Sequence, residues 1–270
     1  MSCDADGCFH NKPQEWSLDS VPRAQAGGKK VRHIFWAGDS TVKTNKFVTY
    51  PQTGIGQAFD RYTKTDVVIC NHAENGRSTK SFIDESRLAP IYDDITEGDF
   101  LFIQFGHNDE KEQDPARYTD PHGEFIGNLV KFVNAARNKK AYPVFITSVE
   151  RRLFDENGNL RQSGHEEYVK GMKEAAAKFD VPVVDLYSMS REFLQKTGDE
   201  ASKKYYMNLA PGEASWAPEG KNDNSHLRYE GAMLYAGMIA KGLSDLGGVY
   251  ADLIADDNLL SDSSKIEVNG

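Results

Sequence analysis

Ile34-Phe35-Trp36-Ala37-Gly38-Asp39-Ser40-Thr41 is the stretch around which the chain is organised. An apolar run stops at Gly-Asp-Ser, the pattern of a buried strand handing over to a loop with a serine just beyond it. Open α/β sheets bind their ligands outside the carboxyl ends of the strands, so Ser40 stands where a hydroxyl can meet a substrate. A hydroxyl is a weak nucleophile until a base takes its proton. The base that fits best lies far downstream, in Asp223-Asn224-Ser225-His226.

Outward from this stretch, apolar runs alternate with helical patterns. Strands are expected over 31–37, 66–70, 99–105, 143–149 and 181–186. The third contains Phe100-Leu101-Phe102-Ile103, apolar on both faces as a central parallel strand should be. Helical spacing recurs at Phe125, Leu129, Phe132, Val133 and Ala136, then at Tyr168, Met172, Ala175 and Phe179. A further helix is expected over 187–196, and the last carries Tyr235, Met238, Ile239, Leu243 and Leu246 on one face. Strands alternating with helices imply parallel pairing and a three-layer α/β/α sandwich. Thr53-Gly54-Ile55-Gly56 lacks the third glycine and the preceding strand of a dinucleotide site, and reads as a loop packed closely on a helix start.

The polar segment 1–30 contains Pro13, Pro22 and Gly27-Gly28 and reads as an irregular leader. Residues 31–250 form the domain, and 251–270 a polar tail that frays. A net charge of −9 over 270 residues argues against nucleic acid, which needs a basic footprint. No apolar run approaches the roughly 18 residues of a membrane span. The amino terminus lacks a basic segment followed by an apolar core, so no signal peptide is expected. With only three cysteines, an odd count, the reading is cytoplasmic, although a trimmed secreted form would look the same. Cys3, Cys8 and His10 are spaced too loosely for a metal site, and no second cluster completes them.

Three expected strand ends finish in small polar clusters, at Ser40, Gly76 and Asn108. Acyl transfer needs a nucleophile, a base with an orienting group, and donors aimed at the developing oxyanion. Ser40 supplies the hydroxyl, His226 the base and Asp223 its orienter, placed by a turn or a single helical coil. The backbone N–H groups of Ser40 and Gly76 and the side-chain amide of Asn108 supply the donors.

Gly38-Asp39-Ser40, Gly76, Gly106-His107-Asn108-Asp109 and Asp223-x-x-His226 resemble, in order, the four blocks of the GDSL/SGNH hydrolase superfamily. Tyr50-Pro51-x-Thr53-Gly54-x-Gly56, Asn75-Gly76-Arg77-Ser78-Thr79 and Asp223-Asn224-Ser225-His226-Leu227 are similar to its rhamnogalacturonan acetylesterase branch. The resemblance covers about 34–240. It implies a flavodoxin-like five-stranded parallel sheet and the roles just given to Ser40, His226, Asp223, Gly76 and Asn108. It also implies no metal or other cofactor, and an acetylated pectic carbohydrate as substrate. The α/β-hydrolase elbow is disfavoured, because Val42 stands where that motif requires glycine.

Asp39 is expected to hold the turn in support, and His107 either packs beside Asn108 or lines the acyl pocket. Arg77 and Lys80 are candidates for a uronate carboxylate, against the reading of a solvated helix start. Tyr206 and Trp216, in an irregular stretch before the triad, are candidates for stacking on sugar rings, against core packing. Other functions remain in play: a general short-chain esterase or lysophospholipase, a non-catalytic carbohydrate-binding protein, and more distantly a two-carboxylate glycosidase.

Overall fold

A computed structural model describes residues 31–255. Five strands form one parallel sheet: β1 (Arg32–Gly38), β2 (Val67–Asn71), β3 (Phe100–Gln104), β4 (Tyr142–Ile146) and β5 (Val183–Val184), in the order β2-β1-β3-β4-β5. The chain leaves β1 to one side for β2 and then passes to the other side for β3. Strand order therefore reverses at β1, which puts the ligand crevice of such a sheet at its carboxyl end. Registers place Trp36 beside Asn71 on one flank and Gly38 beside Gln104 on the other.

The helices are α1 (Ile55–Ala58), α2 (Thr79–Asp84), α3 (Leu88–Asp94), α4 (Glu124–Asn138), α5 (Glu166–Phe179), α6 (Leu186–Thr197), α7 (Asp199–Ser202), α8 (Tyr229–Leu246) and α9 (Gly248–Ala251). Alternation along the strands divides the core into two layers. Ile34, Trp36, Phe100, Phe102, Val144 and Ile146 face α1, α6 and α8. Phe35, Ala37, Leu101, Ile103 and Phe145 face α2 to α5. The expected three-layer sandwich is thus the observed one.

Differences from the expectation have local causes. β5 shrinks to two residues because Pro182 has no N–H to give the ladder and Asp185 already caps α6 by accepting from the Ser188 N–H. The stretch taken as irregular contains an antiparallel hairpin, β6 (Tyr206–Leu209) with β7 (Lys221–Leu227). The 251–270 segment does not fray at its start. Leu253 and Ile254 are buried, and the Ala255 N–H donates to the Tyr62 carbonyl at 2.9 Å. The remainder of that tail, the 1–30 leader, and Cys3, Cys8 and His10 lie outside the described residues. On α8, Tyr235, Ile239 and Leu243 are buried as expected, but Leu246 emerges at the helix end, 38% exposed.

Close approach of backbone to backbone explains one helical glycine. A Cβ on Gly231 would stand 2.0 Å from the Tyr205 carbonyl oxygen, whereas one on Gly127, in α4, would meet nothing within 4 Å. Alanine usually stabilises a helix interior over glycine by up to about 1 kcal/mol. Gly127→Ala should follow that rule and raise the urea midpoint, while Gly231→Ala should lower it. Equal responses would mean that α8 sits less tightly on Tyr205 than described.

Candidate active site

Ser40 begins a turn that several segments hold in place. The Asp39 carboxylate accepts from the Thr41 N–H and hydroxyl, both at 2.8 Å. Burial holds the Asp39 carboxyl above its ordinary value, and these two bonds offset only part of that rise. Asn71 donates to the Val42 carbonyl at 2.8 Å and to the Thr44 hydroxyl at 3.1 Å. Gly54 has no room for a side chain, since a Cβ there would lie 2.1 Å from the Lys43 carbonyl oxygen. Its absence lets the start of α1 close on the turn, the Ile55 N–H reaching the Thr41 carbonyl at 2.8 Å. The paired glycines are packing residues, as their spacing indicated.

The loops after β2 and β3 flank this turn. Gly76 has φ +73°, which glycine adopts without strain. Just beyond it, Ser78 and Ser81 cap α2 reciprocally. Asn108 donates from Nδ2 to the Arg77 carbonyl at 3.1 Å, and an amide nitrogen has a second hydrogen to offer. Buried Asp109 ties the two loops together. It accepts from the Thr79 N–H at 2.9 Å, the Thr79 hydroxyl at 2.6 Å and the Thr119 hydroxyl at 3.1 Å.

The third arm comes from the hairpin. His226 Nε2 lies 2.9 Å from Ser40 Oγ, and its Nδ1 lies 2.7 Å from Asp223 Oδ2. An ionised carboxylate only accepts, so Nδ1 carries the proton and Nε2 is left to accept from Ser40. Asp223 and His226 are not placed by a helical coil. They sit on β7 where its pairing with β6 slips, Tyr206 opposing Leu227 and Met207 opposing Asp223. Asp223 Oδ1 closes this bulge by accepting from the Ser225 and His226 N–H groups, at 3.0 and 2.9 Å. Burial alone would raise the Asp223 carboxyl, but the bonds from the His226 ring and backbone hold it well below the usual carboxylate range.

Arg152 and Lys221 belong to this arm, and no motif pointed to them. Arg152 is buried; its Nη1 donates to Asn224 Oδ1 at 2.7 Å, its N–H to the Asn224 carbonyl at 2.9 Å, and its Nε to Ser202 Oγ at 3.1 Å. Lys221 Nζ lies 3.0 Å from Asp223 Oδ2 and over the Trp216 ring, 5.7 Å from its centre.

The remaining candidates divide. Tyr206 is no sugar platform: it is fully buried, donating to the Glu150 carbonyl at 2.7 Å and pairing with the Tyr235 hydroxyl at 2.9 Å. Trp216 is half-buried on the rim, its indole N–H donating to the Tyr50 carbonyl at 2.8 Å. Arg77 gives its guanidinium to Glu85 and the Asn75 carbonyl, and Lys80 pairs with Glu124 at 3.5 Å. His107 is buried with its ring 4.6 Å from that of His165. Desolvation by burial pushes the His107 imidazole well below its ordinary value and so keeps it neutral. A cavity of about 660 Å³ lies at the amino-terminal ends of β3 to β5, opposite Ser40, and its position separates it from this chemistry.

Asp109 and His165 pull stability in opposite directions on acidification. Burial raises the Asp109 carboxyl from 3.8 to about 7. Its contribution is full below 3.8 and is lost as the pH rises through about 7. Burial lowers His165 from 6.5 to about 3, so its contribution is lost as the pH falls through that interval. Asp109→Asn keeps an acceptor for Thr79 and removes only the first effect. Its urea midpoint should fall more steeply than wild type between about pH 7 and 5. Parallel profiles would mean that Asp109 titrates as an ordinary carboxylate.

Comparison with known proteins places the chain in a family. Residues 37–232 match the GDSL-like Lipase/Acylhydrolase family. Rhamnogalacturonan acetylesterase RhgT of Bacillus subtilis (strain 168) is 41% identical over 89% of this chain and 99% of its own length. A probable rhamnogalacturonan acetylesterase of the same organism, YesY, is 37% identical over 80% of this chain and 94% of its own. Among solved structures, protein YXIM_BACsu of Bacillus subtilis superposes with a TM-score of 0.67 at 23% identity, covering 80% of this chain. The match spans 57% of that longer protein and bears on the fold. With the family match running through most of its length, the chain belongs to the GDSL-like lipase/acylhydrolase family.

Proposed function

We propose that the chain is a serine esterase that removes O-acetyl groups from a pectic, rhamnogalacturonan-type polysaccharide or its oligosaccharides. The observation that carries the reading is the continuous Ser40–His226–Asp223 hydrogen-bonded chain at the point where strand order reverses. The names of its curated relatives support the substrate class.

Ser40 Oγ attacks the acetyl carbonyl carbon as its proton passes to His226 Nε2. The resulting imidazolium faces the ionised Asp223, which stabilises it without taking the proton. The N–H groups of Ser40 and Gly76 and the Asn108 amide receive the oxyanion. A preorganised donor of this kind is worth about 10²–10³ in rate. Collapse breaks the bond to the sugar oxygen, and His226 returns the proton to the departing hydroxyl group. Water, deprotonated by His226, then attacks the acetyl-serine and releases acetate. Asp39 holds the turn that aims Ser40, and neutral His107, its ring beside that of His165, takes no part in the proton transfers.

Ser40→Ala should abolish acetate release from acetylated pectin and from an aryl acetate. Asp223→Asn should reduce kcat by about 10³–10⁴ by leaving the imidazole in the wrong tautomer. Acetate release at wild-type rate by Ser40→Ala would remove the acetyl-serine mechanism. Faster turnover of long-chain acyl esters than of acetyl esters would replace the carbohydrate reading with a general esterase or lysophospholipase.

A further inference from the structure

We propose that Lys46, Phe47 and Tyr50 form a second sugar-binding site beside Ser40, which holds a uronate-bearing part of the same carbohydrate strand that carries the acetyl group. The inference rests on the esterase reading above. Phe47 is 88% exposed, Val48 72% and Tyr50 54%, whereas the other large exposed apolar residues among the described ones reach only 36–42%. Single surface apolar residues are ordinary, but a contiguous group is a contact surface. The Phe47 and Tyr50 rings stand nearly parallel, at 24° with centres 6.2 Å apart, and so offer aligned faces.

These rings are presented by a fixed backbone. A 3₁₀ turn spans Phe47–Thr49, with the Thr49 N–H on the Lys46 carbonyl at 3.0 Å and the Tyr50 N–H on the Phe47 carbonyl at 2.9 Å. Gln57 pins the base of the loop by accepting from the Asn45 N–H at 3.0 Å and donating to its carbonyl at 3.3 Å. Preorganised rings lose little freedom on binding, which favours association.

The loop is continuous with the catalytic centre at both ends. It leaves the Ser40 turn, where the Thr41 carbonyl accepts from Ile55, and returns beside His226, where the Thr53 N–H meets the Leu227 carbonyl at 3.0 Å. From Tyr50 the contacts run on through Trp216 and Lys221 to Asp223. A strand with an acetyl group at Ser40 therefore passes this loop at the rim.

Charge narrows the occupant. Lys46 is exposed and enters none of the ion pairs among the described residues, unlike Lys43, which pairs with Glu74. At physiological salt the screening length is about 8 Å, so a carboxylate beside Lys46 feels that cation more than the distant net charge. A second copy of the chain fits less well. Two rings and a valine fall far short of the roughly 800 Å² per partner of a stable interface.

The test uses the Phe47→Ala/Tyr50→Ala double variant, with Lys46→Gln beside it. Their substrates are acetylated pectin, acetylated xylan and 4-nitrophenyl acetate. The double variant should raise KM for both polymers about tenfold, with kcat/KM for the aryl acetate unchanged. Lys46→Gln should weaken only pectin, by about threefold, and the difference should vanish at about 0.5 M salt. Parallel losses on polymer and aryl acetate would assign the loop to the geometry of Ser40 instead, and unchanged polymer kinetics would overturn the site. Should wild type hydrolyse the aryl acetate but no acetylated polymer, the substrate reading has failed. The second site is then judged by affinity electrophoresis of Ser40→Ala protein in deacetylated pectin: retardation lost with the two rings supports it, and equal mobility overturns it. Self-association or vesicle binding that disappears with the rings, without a polymer effect, would overturn it in favour of another partner.

Discussion

The geometry of the candidate site depends on how the Asp223 carboxylate divides its two oxygens. Oδ1 holds the Ser225 and His226 N–H groups and so shapes the bulge, while Oδ2 faces the His226 ring and Lys221. One group thus fixes both where the imidazole is and which nitrogen carries its proton. A neutral carboxylic acid in its place would have a proton of its own to donate, and Nε2 would no longer be the free acceptor facing Ser40. The hydrogen bonds that overcome desolvation at Asp223 therefore fix the tautomer of His226 as well as the shape of the bulge.

Ser40 and His226 stand on supports of different kinds. Ser40 follows a central strand buried on both faces, whose turn is clamped by Asp39, Asn71 and the start of α1. His226 belongs to a two-stranded hairpin outside the main sheet, and such a hairpin alone has little stability in water. Tyr206 and Leu227 anchor it in the main core, and polar contacts complete the attachment. Buried Arg152 holds Asn224 by side chain and backbone, and Asn208 reaches Asn224 Oδ1 at 3.3 Å. A buried guanidinium left without partners carries a large desolvation cost, so these contacts act as a set.

How far the sequence was readable follows from the same division. The five strands and the long helices announced themselves by apolar runs or by an apolar face of fixed period, and except at β5 their ends fell close to the expected ones. β7 reads Lys-Asn-Asp-Asn-Ser-His-Leu and has no such period, because backbone pairing and the Asp223 carboxylate hold it rather than buried side chains. The candidate site residues stood out in the sequence for another reason. Acyl transfer accepts few residue types, and each of Ser40, Gly76, Asn108 and His226 lies within a short block whose neighbours mark it. Tyr206 was misread because an aromatic in a polar stretch looks solvent-facing. Its burial is set by Glu150 and Tyr235, which are remote in sequence.

Support residues escape sequence reading because their partners are chosen by topology. Arg152 meets Asn224 across 72 positions, and Asp109 meets Thr79 across 30. Neither pairing leaves a local spacing to recognise. Lys221 lies two residues from Asp223, yet it reads as a solvated strand lysine until the two side chains are seen on one face. The aromatic loop poses the inverse problem. Phe47 and Tyr50 pass in the sequence for residues that fold inward, since large apolar side chains are mostly buried. Exposure overturns that default, and the hydrogen-bonded turn beneath them removes the alternative that the loop is merely loose. The ordered backbone holds two nearly parallel rings in water on the loop that leaves the Ser40 turn, and the proposed carbohydrate contact rests on this observation.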